Sequence, residues 1–189
     1  MNAITVRTPR LILRPWRDED GDAFAAMFDD PAVMEFLLPH TGRAAVDAFI
    51  GRIKQNFAER GFGLWAVEVP GVAPFIGYVG LWAPNFEAPF MPAIEVGWRL
   101  ASAYWGKGYA TEGAKAALDA GFSKFGLNEI VSFTVPANRR SWRVMQRIGM
   151  QRDPADDFDH PRVPDGSPLK RHLLYRISRA RWEEMSEKH

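Results

Sequence analysis

The chain has no cysteine, which removes disulfides, thiolate zinc ligands and a thiol nucleophile together. Its four histidines, His40, His160, His172 and His189, are scattered, and none shares the i, i+4 spacing that puts two imidazoles on one helix face. No metal site is expected from them. No apolar run approaches the roughly 20 residues that a membrane helix needs. The opening residues Met1 to Thr5 carry neither the basic nor the apolar stretch of a secretory signal. A cytoplasmic chain with no membrane partner is expected. Charge of one sign is lacking too: Lys and Arg total 24 against 23 Asp and Glu, for a net +1. That balance provides no strong field for nucleic acid.

What is present is an ordinary globular composition, 47% hydrophobic and 25% charged over 189 residues. Such a length supports one substantial core and is short for two ordinary domains, so a single domain over 1–189 is expected. Leu11, Ile12 and Leu13 form a short apolar run ending at Pro15, which reads as a first strand. Asp18, Glu19 and Asp20 then place negative charge where a helix start favours it. Phe24, Met27 and Phe28 give that helix an apolar face. A longer helix is predicted from about Thr41 to Arg60, with Val46, Phe49, Ile50, Ile53 and Phe57 as its stripe and glycines to stop it.

Strands are predicted at 64–69 and 75–82, joined by a Pro/Gly turn as an antiparallel hairpin. Another is predicted at 93–101, followed by a glycine-containing loop and a long helix from near Tyr109 that stops at Gly126. A strand at 129–135, a short helix from Ser141 to Ile148, a last strand at 172–177 and a terminal helix complete the reading. Between them, residues 153–169 hold four prolines and read as a long loop. The order describes an α+β fold with a mixed, mostly antiparallel sheet.

The sharpest local feature is Trp105-Gly106-Lys107-Gly108-Tyr109-Ala110-Thr111, which joins a strand to a helix. Helix N-termini present unpaired N–H groups and positive dipole, a setting for phosphate. Gly106 and Gly108 let backbone approach a bulky anion. The loop is neither a P-loop nor a dinucleotide fingerprint, because the lysine and the third glycine those need are misplaced. ATP and NAD are therefore disfavoured.

The same residues resemble the GNAT superfamily of acetyltransferases, and within it the RimJ/RimL-like group. Ala103-Tyr104-Trp105-Gly106-Lys107-Gly108 is similar to that superfamily's Q/R-x-x-G-x-G/A motif, with Ala103 departing from the opening Gln/Arg. Tyr109-Ala110-Thr111-Glu112 continues as the group does. Thr8-Pro9-Arg10-Leu11, Ile76-Gly77-Tyr78, Glu95-Val96-Gly97-Trp98, Asn138 with Ser141, Arg147-Ile148-Gly149 and Leu174-Tyr175-Arg176 resemble further segments in the right order, and together span about the whole chain. The resemblance implies a layered α/β fold whose fourth and fifth strands, here those near 95 and 130, splay apart between flanking helices. It implies that acetyl-CoA lies in that gap. The pantetheine arm would run beside Trp98, Arg99 and Leu100, the pyrophosphate would sit on Gly106, Lys107, Gly108, Tyr109, Ala110 and Thr111, and Asn138 would lie beside the arm.

Amide formation from a thioester needs a neutral amine, a polarised carbonyl and a proton for the departing thiolate. Glu95 is the candidate base, and a solvated strand face with a Glu95–Arg99 contact is the alternative. Ser141 is the candidate proton donor to sulfur, or else the cap of its helix. One of Lys107, Arg139, Arg140, Arg143 and Arg147 is expected to meet the 3′-phosphate, with Arg147 preferred. Phe86, Phe90 and Met91 are candidate walls of an acceptor pocket, and His160 and His172 candidate members of it. Asp153, Asp156, Asp157 and Asp159 can draw in a cationic amine or form a solvated turn. The acceptor that the resemblance implies is a peptide N-terminus or a small-molecule amine, and a monomer or homodimer is expected. A non-catalytic acyl-CoA sensor is the competing reading.

Overall fold

The computed structural model describes residues 4–38 and 42–187. Met1, Asn2 and Ala3 of the opening segment, His40, the expected helix start at Thr41, and His189 lie outside the described residues.

The sheet runs in the order β1 (Val6–Arg7), β2 (Ile12–Arg14), β3 (Leu64–Glu68), β4 (Gly77–Trp82), β5 (Glu95–Leu100), β6 (Glu129–Thr134), β9 (Arg171–Ser178) and β7 (Gln151–Arg152). A short β8 (Phe158–Asp159) also pairs with β9. Neighbours are antiparallel except β5 and β6, which are parallel. The predicted hairpin forms β3 and β4. β1, β7 and β8 are too short to show a period of two, and none of them was expected.

Helices cover both faces. α1 (Asp20–Ala26) and α3 (Arg43–Arg60) put Phe24 and Phe49 against Tyr78 of β4, with ring centroids 5.8 and 5.7 Å away. Val79 points to the opposite face, as strand alternation requires. There α4 (Tyr109–Asp119) lies so close that a Cβ on Gly113 would be 3.2 Å from Val79. α4 then widens into a π turn over Ala120–Lys124, where a Cβ on Gly121 would stand 2.7 Å from Ile130. Only glycine permits that contact. α3 ends as expected at Gly61, with φ +78. A four-residue helix α2 (Pro31–Met34) was not foreseen; Asp30 caps it and Pro31 occupies its first position. α5 (Arg139–Arg147) and α6 (Arg179–Ser186) close the chain.

The long loop expected at 153–169 is partly ordered by its own acids. Asp153 accepts from the Ala155 amide at 2.9 Å, Asp156 from Arg176 at 2.8 Å and Asp157 from the Leu174 amide at 3.2 Å, and Asp159 lies 3.4 Å from Arg171. Asp157 also pairs with Arg152. These carboxylates stitch β7, β8 and β9 together, and none of them lines a cavity described below. No helix among the described residues is long and apolar enough to cross a membrane.

Candidate active site

β5 and β6 share a single register pair, Glu95 with Val131, beside one bond from the Val131 amide to the Ile94 carbonyl at 2.8 Å. Beyond it the strands diverge. Trp98, Arg99 and Leu100 pair with β4 on their outer edge, opposite Val79, Tyr78 and Gly77, and have no β6 partner among the described residues. A cavity of about 390 Å³ fills the gap.

One wall is the start of α4. Gly108 is its N-cap at φ +82 and Gly106 stands at φ +75, backbone angles that a side chain strains. The first bond of α4 runs from the Glu112 amide to the Gly108 carbonyl at 3.0 Å, so the amides of Tyr109, Ala110 and Thr111 precede the helical ladder. The loop is held from behind. Arg10 donates to Glu112 at 2.6 Å and to the Lys107 carbonyl at 2.9 Å, and the Thr8 hydroxyl donates to Glu112 at 2.7 Å. Desolvation pushes the Glu112 carboxyl up, but the bonds from Thr8 and Arg10 outweigh it and hold the group below its ordinary value. Two motif segments a hundred positions apart are thus one clamp.

The facing wall is α5. Asn138 caps it, with its side-chain oxygen accepting from the Ser141 amide at 3.2 Å and its nitrogen donating to Thr134 at 3.1 Å. The helix therefore begins at Arg139, two residues earlier than expected, and Ser141 is not its cap. The Ser141 hydroxyl lines the cavity with no hydrogen-bond partner among the described residues. Arg143 and Arg147 line the same wall and form no ion pair among those residues. Arg140 reaches across to Glu35 at 2.8 Å, its guanidinium 4.4 Å from the centre of the Trp105 ring.

Trp98, Arg99, Leu100, Gly106, Gly108, Tyr109, Ala110, Thr111, Asn138, Ser141 and Arg147 all meet at this one cavity. Lys107 does not. Its carbonyl is tied to Arg10, and its ammonium lies 5.3 Å from the Tyr104 ring centre, outside the lining.

A second cavity, of about 520 Å³, adjoins the first at Trp98. Its wall includes Glu95 and Gly97 of β5, Tyr78 and Trp82 of β4, and Phe49 and Arg52 of α3, with Asn85 and Arg162 from loops. Glu95 is half-buried and has no salt bridge or hydrogen bond among the described residues; burial alone pushes its carboxyl up to about 8. The Glu95–Arg99 contact that strand spacing allows does not form. Arg99 instead stacks 5.5 Å from Phe28 and 5.6 Å from Tyr78. Burial also raises the Tyr78 hydroxyl, with Arg99 opposing and Glu95 reinforcing the shift, which keeps it neutral and able to donate.

Phe86 and His160 stand beside this cavity but not in its lining. They are 4.5 Å apart, centre to centre, in an aromatic cluster with Phe90, Phe133, Phe158 and His172. Burial pushes His160 down to about 4, helped by His172, Arg162 and Lys170, so it is a neutral packing imidazole at ordinary pH. Apolar rings in a proline-rich loop pack against one another more readily than they stay open to solvent. Tyr78, Arg52, Asn85 and Arg162 were missed by the sequence. Tyr78 alone carried a signal, lying two residues into a motif strand. Among the described residues no cluster of three or more His, Asp or Glu could hold a metal ion.

The splayed strands and the helix-start loop together make an open cleft with an anion-suited end. The model of the acetyltransferase (GNAT) domain matches residues 10–151, and the chain belongs to that family. An uncharacterized N-acetyltransferase, YnaD, of Bacillus subtilis is 29% identical over 179 residues, 94% of this chain and 98% of its own. The FsC-acetyl coenzyme A-N(2)-transacetylase of Aspergillus fumigatus is 28% identical over 197 residues, 97% of this chain and 80% of its own. Among solved structures, an acetyltransferase from Agrobacterium tumefaciens is 29% identical with a TM-score of 0.74, covering 94% of this chain and 95% of its own.

Proposed function

We propose that this protein is a cytoplasmic, single-domain N-acetyltransferase that passes the acetyl group of acetyl-CoA directly to a primary amine held in the second cavity. The observation that carries the reading is the junction of the two cavities at Trp98, with a helix-start anion cradle in one and an unpartnered carboxyl in the other. The donor's pyrophosphate suits the free amides of Tyr109, Ala110 and Thr111, and its remaining phosphate suits the unpaired Arg143 or Arg147. Its pantetheine arm suits the open edge of β5, where backbone N–H and C=O groups want partners.

The amine nitrogen attacks the thioester carbonyl carbon. A C–N bond forms, the C–S bond breaks, and the proton lost by the amine passes to the Glu95 carboxylate, directly or through water. The hydroxyl of Ser141, free of capping duty, donates a hydrogen bond to the departing thiolate, which takes a proton from water and leaves as free CoA, while Glu95 returns the amine's proton to water. No covalent enzyme intermediate is needed, because the thioester is already activated and the amine need only be oriented against it.

The test is thiol release from acetyl-CoA over a panel of small amines and peptides, with Glu95→Gln run beside the wild type. The variant should lose about 10²–10⁴ in kcat, the range for a missing general base, and keep its acetyl-CoA affinity. Full activity in Glu95→Gln at neutral pH would remove Glu95 from the mechanism.

A further inference from the structure

The charge of the second cavity says something about its occupant. Among the described residues, three charged side chains line it: Glu95, Arg52 and Arg162. Neither arginine has a carboxylate partner among the described residues. Arg52 lies against an aromatic face, 5.6 Å from the centre of the Phe49 ring. Arg162 is aimed by Asn85, whose backbone carbonyl accepts from Nη2 at 2.6 Å and whose side-chain oxygen accepts from the same nitrogen. A guanidinium has five donor hydrogens, so the Nε and Nη1 groups of Arg162 remain unused.

Acids of the loop that carries Arg162 are engaged with other cations. Asp165 pairs with Lys170 at 3.0 Å, Asp159 with Arg171, Asp156 with Arg176, and Asp157 with Arg152. The acidic loop therefore supplies no counter-charge here. Glu95 supplies little at neutral pH, because burial keeps it largely protonated. Two guanidiniums in a concave wall without a counter-ion make a positive site, which attracts an anion and repels a polycation.

We propose that the acceptor is a small amine that also carries a carboxylate, an amino-acid-like molecule whose anionic end is held by Arg162 and Arg52 while its amine faces Glu95. This rests on the acetyltransferase reading of the same cavities, and it gives the recognition of the acceptor to arginines of the cavity and not to the acidic loop. A carboxylate matches the planar fork of arginine, and the long side chains at the rim meet it before the amine reaches the strand.

The experiment uses amino carboxylates of increasing chain length, each paired with its own carboxamide, and a third arm of peptides with neutral side chains. Thiol release is measured for the wild type, Arg162→Gln, Arg52→Gln and Arg162→Lys. Amidation also alters the amine's basicity, so the quantity read is the acid-to-amide ratio of kcat/KM, compared between enzymes. The wild type should favour the acids. The ratio should fall about tenfold or more in Arg162→Gln, as expected for one charge-assisted bond lost, with partial return in Arg162→Lys. Equal use of acids and amides, or a ratio that the variants leave unmoved, overturns the proposal. Turnover confined to peptides overturns it while leaving the acetyltransferase reading intact. A protein that binds acetyl-CoA in a calorimeter yet releases thiol with no arm overturns the proposal, and silence over the wider panel of small amines as well overturns the acetyltransferase reading.

Discussion

At Glu95 the fold holds a carboxyl in a cavity wall with no donor and no cation beside it, which is a costly place for a charge. The group keeps its proton up to about pH 8, against 4.5 for an unperturbed side chain. For catalysis the sign is direct: the carboxylate that accepts the amine's proton becomes available as pH rises, so wild-type kcat should climb to a plateau with an apparent pKa near 8. For stability the sign is opposite. Above about 4.5 the unfolded chain has lost this proton while the folded chain still binds it, so stability falls as pH rises and levels off above about 8. Glu95→Gln should therefore melt higher than the wild type in alkaline buffer, match it in acid, and show no such limb in its residual rate. Thermal melts at both pH extremes, with a kcat profile, check the pair. A limb near pH 5 would mean that Glu95 is solvated and paired in solution.

At the scale of elements, the loop before α4 is where local sequence was most readable, because one contiguous stretch carries both its geometry and its chemistry. Gly108→Val should abolish acetyl-CoA binding. A β-branched residue is strained at φ +82, and its Cβ would also lie 3.3 Å from Arg10, whose bonds hold the loop. Circular dichroism should show the fold retained, and titration calorimetry should show no heat; near wild-type affinity in a folded variant would take the phosphate away from this loop. The strand edge at 95–100 was equally legible, since strand and motif coincide there. α5 was misread by two residues because Asn138 and Ser141 are both favoured caps, and only the bond from the Ser141 amide to Asn138 decides between them. The acceptor cavity was not legible. Its wall joins Arg52, Tyr78, Glu95 and Arg162 from separate elements, and no local period or spacing announces that meeting. The rings that did stand out, Phe86 and His160, pack on each other beside it.

For the whole molecule, one buried ionic junction ties the N-terminal strands to the first helix. The sequence presents Asp20 as one of three acids at a helix start. In the structure it is 3% exposed and receives Arg14, itself 4% exposed, through two bonds of 2.8 Å. Arg14 also donates to Glu68 at 2.9 Å, to the Pro74 carbonyl at 2.5 Å and to the Pro15 carbonyl at 3.1 Å, so all its donors are used. The hydrogen bond to Asp20 is the largest influence raising the guanidinium's pKa; burial opposes it. One residue thus links β2, β3, the entry to α1 and the segment leading to β4. A complete network of this kind stabilises little relative to an apolar core, but removing Asp20 takes away the buried partner of two Arg14 bonds and leaves the guanidinium only the more exposed Glu68. Asp20→Ala should cost about 3–5 kcal/mol in urea denaturation. Arg14, Asp20 and Glu68 line neither cavity, so the folded variant should bind acetyl-CoA as the wild type does. A loss below about 1 kcal/mol, the range of an exposed pair, would show that water reaches Arg14 in solution and that the junction is a surface contact.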